Sequence, residues 1–200
     1  MAFFKNYLYF TEDGPHYNDI VQVINTSSYS VVSTITVGIS PYGDAYDPIN
    51  GEIYVANSVS GSISLIAPTS NSVIGVVNLG SAFCSRPYYD PYVDLVYVAD
   101  GISGVVIIAN ETILERMPVG TSCYDLAYDS FDGKFFVTNE LSNSVTEFSP
   151  NLTGTPLATN TTTTPGFGYF AFFLGGLVGS GATLAMVAAA NVVWRRRGTL

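Results

Sequence analysis

One block of residues occurs three times in this chain. Asp47-Pro48 returns as Asp90-Pro91 and Asp129-Ser130, at spacings of 43 and 39 residues. Tyr54-Val55-Ala56-Asn57 returns as Tyr97-Val98-Ala99-Asp100 and Phe136-Val137-Thr138-Asn139 at the same spacings. Val37-Gly38 returns as Leu79-Gly80 and Val119-Gly120, and Tyr9-Phe10-Thr11-Glu12 stands where a further copy of Tyr54 to Asn57 belongs. A period of about 42 residues marks a protein built from repeated supersecondary units, each burying its faces against its neighbours.

Within a unit the pattern is that of strands. The clearest copy divides into Gly43–Asp47, Glu52–Ala56, Ser62–Ala67 and Val73–Asn78, each rich in Val, Ile, Tyr or Ser and alternating in polarity. Asn50-Gly51 and Asp132-Gly133 suit tight hairpin turns, because those residues tolerate left-handed backbone. Ser60-Gly61, Ser103-Gly104, Pro68 and Pro150 punctuate the other connections. Helical periodicity is absent before Phe167. Four short strands per repeat of 40–45 residues predict the blades of a β-propeller.

The run Val37 to Asn57, VG-x-x-P-x-G-x-A-Y-D-P-x-N-G-x-I-Y-V-x-N, resembles the YVTN β-propeller repeat of archaeal surface-layer-type proteins, over about Tyr7 to Pro150. The resemblance implies a surface protein related in fold to lactonase-type propellers. The third unit departs from it with Asp90-Pro91-Tyr92-Val93-Asp94 at the turn and Asp100 for Asn; the next has Ser130 for Pro. Counting a partial unit at each end gives about fourteen strands, or about 3.5 blades, fewer than a ring of about four or more blades needs. An all-β, partial propeller of this size predicts self-association, or pairing with another propeller fragment or surface protein.

The chain changes character after residue 150. Asn151–Gly166 holds seven Thr, two Pro and no charge, which reads as an extended stalk. Residues 167–194 form a run of 28 without a charge, flanked by aromatic residues and closed by Arg195, Arg196 and Arg197. About 20 apolar residues span a bilayer as a helix, and arginines mark its cytoplasmic end. The expected organisation is therefore blades at 1–150, a stalk at 151–166, a transmembrane helix at 167–194 and a basic tail at 195–200. Sequons at Asn25, Asn110, Asn151 and Asn160 are candidate N-glycosylation sites on the outer side. Pro165-Gly166-Phe167 ahead of the apolar run resembles the PGF-CTERM sorting signal. That resemblance implies a helix removed in processing; a retained anchor is the other reading. Met1 to Phe10 lacks a secretory pattern, which predicts the C-terminal part of a longer protein.

Charge and composition exclude several functions. All sixteen acidic residues and four of the seven basic ones precede Phe167, so the body carries −12 and offers no footprint for nucleic acid. One His and two Cys make a zinc site untenable. Cys84 and Cys123 occupy the repeat position of Pro41, and read either as a disulfide or as two buried thiols. Asp13, His16 and Asp19 share one turn and read as a solvated loop before a cation site. Asp47, Asp90 and Asp129 recur with the fold and read as turn residues. Fourteen Tyr could build a carbohydrate-binding face, although half-buried strand positions also call for them. No phosphate-binding loop, nucleophile elbow or zinc-protease motif is present. The expected protein is thus a cell-surface envelope, adhesion or binding module, blades outside and C-terminus in the cytoplasm, without catalytic residues, metal or cofactor. Its alternatives are a propeller enzyme or redox-cofactor binder, or a remnant of a longer surface protein.

Overall fold

The computed structural model describes residues 1–12, 19–150 and 157–163. Every element in them is a strand, and the strands form four antiparallel sheets of four, each in chain order. The first sheet holds β1 (Ala2–Phe4), β2 (Tyr7–Glu12), β3 (Ile20–Asn25) and β4 (Ser30–Thr36). The second holds β5 (Pro41–Asp47), β6 (Glu52–Asn57), β7 (Ser62–Ala67) and β8 (Ser72–Asn78). The third holds β9 (Tyr88–Asp90), β10 (Leu95–Asp100), β11 (Gly104–Ala109) and β12 (Thr112–Met117). The fourth holds β13 (Cys123–Asp129), β14 (Lys134–Asn139), β15 (Ser144–Ser149) and β16 (Leu157–Thr163). The chain divides into two compact units, Met1–Pro118 with three sheets and Val119–Leu200 with the fourth.

The strand count corrects the expectation of fourteen strands and 3.5 blades. Ala2–Phe4 supplies the missing strand of the first sheet, and Leu157–Thr163, assigned to the stalk, supplies that of the fourth by pairing with β15. The physical reason is composition: a run of Thr has strong strand preference, and an unpaired β15 would leave a row of backbone donors and acceptors open. The expected helix at 167–194, the sorting motif Pro165, Gly166 and Phe167, the arginines 195–197, Asn151, Asp13 and His16 all lie outside the described residues.

Sheet packing in the first unit follows from alternation along β6. Ile53, Val55 and Ile66 pack against Tyr9, Val21 and Val23 of the first sheet, all of them fully buried. Tyr54, Ala56, Ile63 and Leu65 face the other way, against Val96, Val98 and Ile108 of the third sheet. Buried on both faces, β6 has no exposed residue. Each such side chain contributes about 1.5–3 kcal/mol. In the fourth sheet the rings of Tyr128 and Phe135 lie 4.9 Å apart, and those of Phe135 and Phe148 stack at 5.1 Å.

The repeated aspartates are turn residues, as expected. Asp47 Oδ1 accepts from the backbone of Ile49 and Asn50, Asp90 Oδ1 from Tyr92, and Asp129 Oδ1 from Phe131, at 2.8–3.2 Å. The turn then closes through a residue with left-handed backbone: Gly51 (φ 72°), Asp94 (φ 57°) and Gly133 (φ 65°). In the third unit Asp94 therefore takes the place of the glycine.

Candidate functional site

The repeated Asn and its neighbours form a clamp in the second and fourth sheets. Asn57 Oδ1 accepts from the Gly38 backbone at 3.1 Å, and Asn57 Nδ2 donates to Ser62 and Ser64 at 3.2 and 2.9 Å. A Cβ on Gly38 would lie 2.7 Å from the Asn57 side chain, which explains why glycine and asparagine recur together. Asn139 repeats the arrangement with Ser144 and Thr146. In the third sheet Gly104 and Val106 stand where Ser62 and Ser64 stand in the second. Asp100 there instead accepts from the Ser81 hydroxyl and lies 3.5 Å from Arg116. The Asn-to-Asp change is thus matched by its surroundings, and the clamp ties strands within a sheet and, through Gly38, the segment leading into the second sheet.

A different cluster gathers at the first strands of the first unit. Asp44 on β5 has a fully buried side chain, and the Met1 ammonium sits 2.7 Å from its Oδ1. Its Oδ2 has no hydrogen-bond partner among the described residues. Burial pushes the Asp44 carboxyl above the usual carboxylate range, and the ammonium pulls the other way. Beside it, Gly43 gives way to the next blade: a Cβ there would lie 2.5 Å from Cβ of Arg86, whose side chain is exposed. Tyr42, half-buried, precedes them on the same strand. Asp44 pairs with Val55 and faces the first sheet, whereas Gly43 pairs with Ala56 and faces Arg86 on the side of the third sheet, so carboxyl and guanidinium lie on opposite faces of the second sheet. The buried Asp44 carboxyl by itself can hold a small polar molecule by hydrogen bonds.

A second acidic group lies between the second and third sheets. Burial, the charges of Glu111 and Asp47 and a hydrogen bond with Glu111 raise the Glu52 carboxyl. Burial likewise raises Asp90, against two backbone donors. Among the described residues no cluster of His, Cys, Asp or Glu is arranged to hold a metal ion.

The other residues singled out by the sequence are dispersed. Asn25 ends β3, and its Oδ1 accepts from Ser27 and Ser28. Asn110 is exposed in the β11–β12 turn with φ 46°, and Asn160 lies in β16. Cys84 and Cys123 are both buried thiols, one in each unit, and neither forms a disulfide in this structure. The Cys84 thiol sits in the core of the first unit, 4.0 Å from the Ser62 carbonyl, where burial raises its pKa to about 12. Such a thiol is inert as a nucleophile.

No family profile matches this chain, and no curated protein matches it by sequence. Its fold is found in solved structures. Hydrazine synthase of Kuenenia stuttgartiensis is similar at 14% identity and a TM-score of 0.65, over 79% of this chain and 46% of that one. Virginiamycin B lyase from Staphylococcus aureus is similar at 15% and 0.63, over 80% and 52%. A dihydro-heme d1 dehydrogenase is similar at 13% and 0.65, over 80% and 35%. The chain thus spans about half, or less, of the structures it matches, and shares with them a β-propeller-like fold. The expectation of a non-enzymatic protein is corrected by these likenesses. A synthase, a dehydrogenase and a lyase carry the same kind of fold, so blade architecture gives no ground for excluding catalysis.

Proposed function

We propose that this chain is a membrane-anchored surface protein of the YVTN type whose first-strand ends hold a polar, hydroxyl-rich ligand such as a carbohydrate. The observation that carries the ligand reading is the buried Asp44 carboxyl, whose Oδ2 has no hydrogen-bond partner among the described residues. The anchoring rests on sequence. Twenty-eight uncharged residues followed by three arginines suit a span with its arginine end in the cytoplasm, leaving the −12 body outside. Because the fold also carries enzymes, the held molecule is as well a substrate as an adhesion partner.

Two measurements test this. The full chain, expressed in cells, should pellet with carbonate-washed membranes, and deletion of 167–194 should release it; full-length protein in the soluble fraction would refute the anchor. Purified in mild detergent, it should bind members of a neutral oligosaccharide library, with product formation followed in the same mixtures. Asp44→Asn should weaken binding about tenfold, or about 1.4 kcal/mol, whereas Arg86→Ala, on the other face of the sheet, should leave it unchanged. Binding that ignores Asp44→Asn would move the site elsewhere.

A further inference from the structure

Each sheet carries one row of side chains at the same register. In the second sheet, cross-strand pairing aligns Tyr46, Ile53, Ile66 and Val73. In the third it aligns Tyr89, Val96, Ile108 and Ile113. Both rows are receiving surfaces, buried against the preceding sheet, whose covering face is centred on a tyrosine, Tyr9 for the second sheet and Tyr54 for the third. The first sheet has the same row: Phe3, Leu8, Ile24 and Val31, aligned by pairing. Here the row is open, with Phe3 60% and Val31 53% exposed and Phe10 beside it at 39%. Among the described residues the one charge on this face is Glu12, which accepts a hydrogen bond from Gln22 at 3.0 Å.

We infer that this face of the first sheet is a docking surface for a further four-stranded sheet of the same repeat, presenting a tyrosine-centred apolar face. The chemistry of the occupant is read from what covers the matching rows, a Tyr flanked by Val, Ala or Leu. A second copy of this chain is a poor occupant in head-to-tail order. On the fourth sheet the residue paired with Phe136 is Glu147, which binds Lys134, where the second sheet pairs Tyr54 with Leu65. Pressing that ion pair onto Leu8 and Ile24 would strip it of water without a partner. Four strands about 4.8 Å apart and about 20 Å long give a face near 400 Å² on each partner. The interface is therefore small and the association reversible. This inference stands apart from the membrane and ligand readings above.

The probe is a copy of this chain's own second repeat (residues 38–79) joined ahead of Met1 of the full chain by a flexible linker, and the readout is thermal unfolding in mild detergent. The appended repeat should raise the melting temperature by about 5 °C. Leu8→Lys should abolish that gain, as should Tyr54→Lys made in the appended copy alone. Leu8→Lys in the unextended chain should leave its melting nearly unchanged, which separates loss of docking from misfolding. No gain, or a gain that survives both substitutions, overturns the inference. So does an unextended chain that is dimeric by light scattering and becomes monomeric with Leu8→Lys, because that gives the row to a second copy.

Discussion

Asp94 does the work of a glycine with a side chain attached. Its φ of 57° matches Gly51 and Gly133, and its carboxylate accepts from the Tyr89 hydroxyl at 3.1 Å. Asp tolerates this backbone better than Ala, so Asp94→Ala should cost about 1 kcal/mol from strain alone, read as a lower urea midpoint. Asp94→Gly relieves the strain and loses only the tyrosine contact, so it should fall between the two. Removing the Asn57 side chain is a larger insult. Asn57→Ala leaves the Gly38 amide and the hydroxyls of Ser62 and Ser64 without their partner in a buried setting, which should cost about 1–3 kcal/mol. A midpoint unchanged from the parent would show that water replaces the clamp. These residues were legible in the sequence because they recur. The candidate site was not, and for the same reason inverted: at the spacing that joins Asp47 to Asp90, Gly43 aligns with Arg86 and Asp44 with Pro87. Comparing repeats brings out what the fold needs everywhere, whereas a ligand is held where one copy departs from the others.

At the scale of elements, strand positions in the repeated units were read almost to the residue, because hairpin turns and alternation are local signals. What escaped was set by partners distant in sequence. Leu157–Thr163 looks like a stalk by composition and becomes a strand because β15 offers it an edge. β9 has only three residues where β5 has seven, since Pro87 brings no amide to the ladder. The fourth sheet shows how one element can be set apart from its siblings. Glu147 is nearly buried, and Lys134 binds it where the second sheet has Glu52 and Leu65. Lys134→Ala should take one partner from that carboxylate and cost about 1–2 kcal/mol. Glu147→Leu restores the repeat's usual residue and should be neutral or stabilising. A loss of stability for Glu147→Leu larger than for Lys134→Ala would mean the carboxylate serves more than the lysine.

For the molecule as a whole, three carboxyls lifted by burial work in one direction. Asp44, Glu52 and Asp90 hold their protons more tightly folded than unfolded. Where the folded chain binds more protons, stability falls as pH rises, across the window from the ordinary carboxylate range up to the raised values. Acidification from neutral therefore returns stability as each group is protonated, and relief of repulsion within a body at −12 adds to it. The melting temperature should rise between pH 7 and pH 5, the reverse of a protein held by depressed, salt-bridged carboxylates. Asp44→Asn should flatten part of that slope, because it removes one of the three titrations while preserving shape. A melting temperature that falls over the same interval would overturn this account of the buried acids.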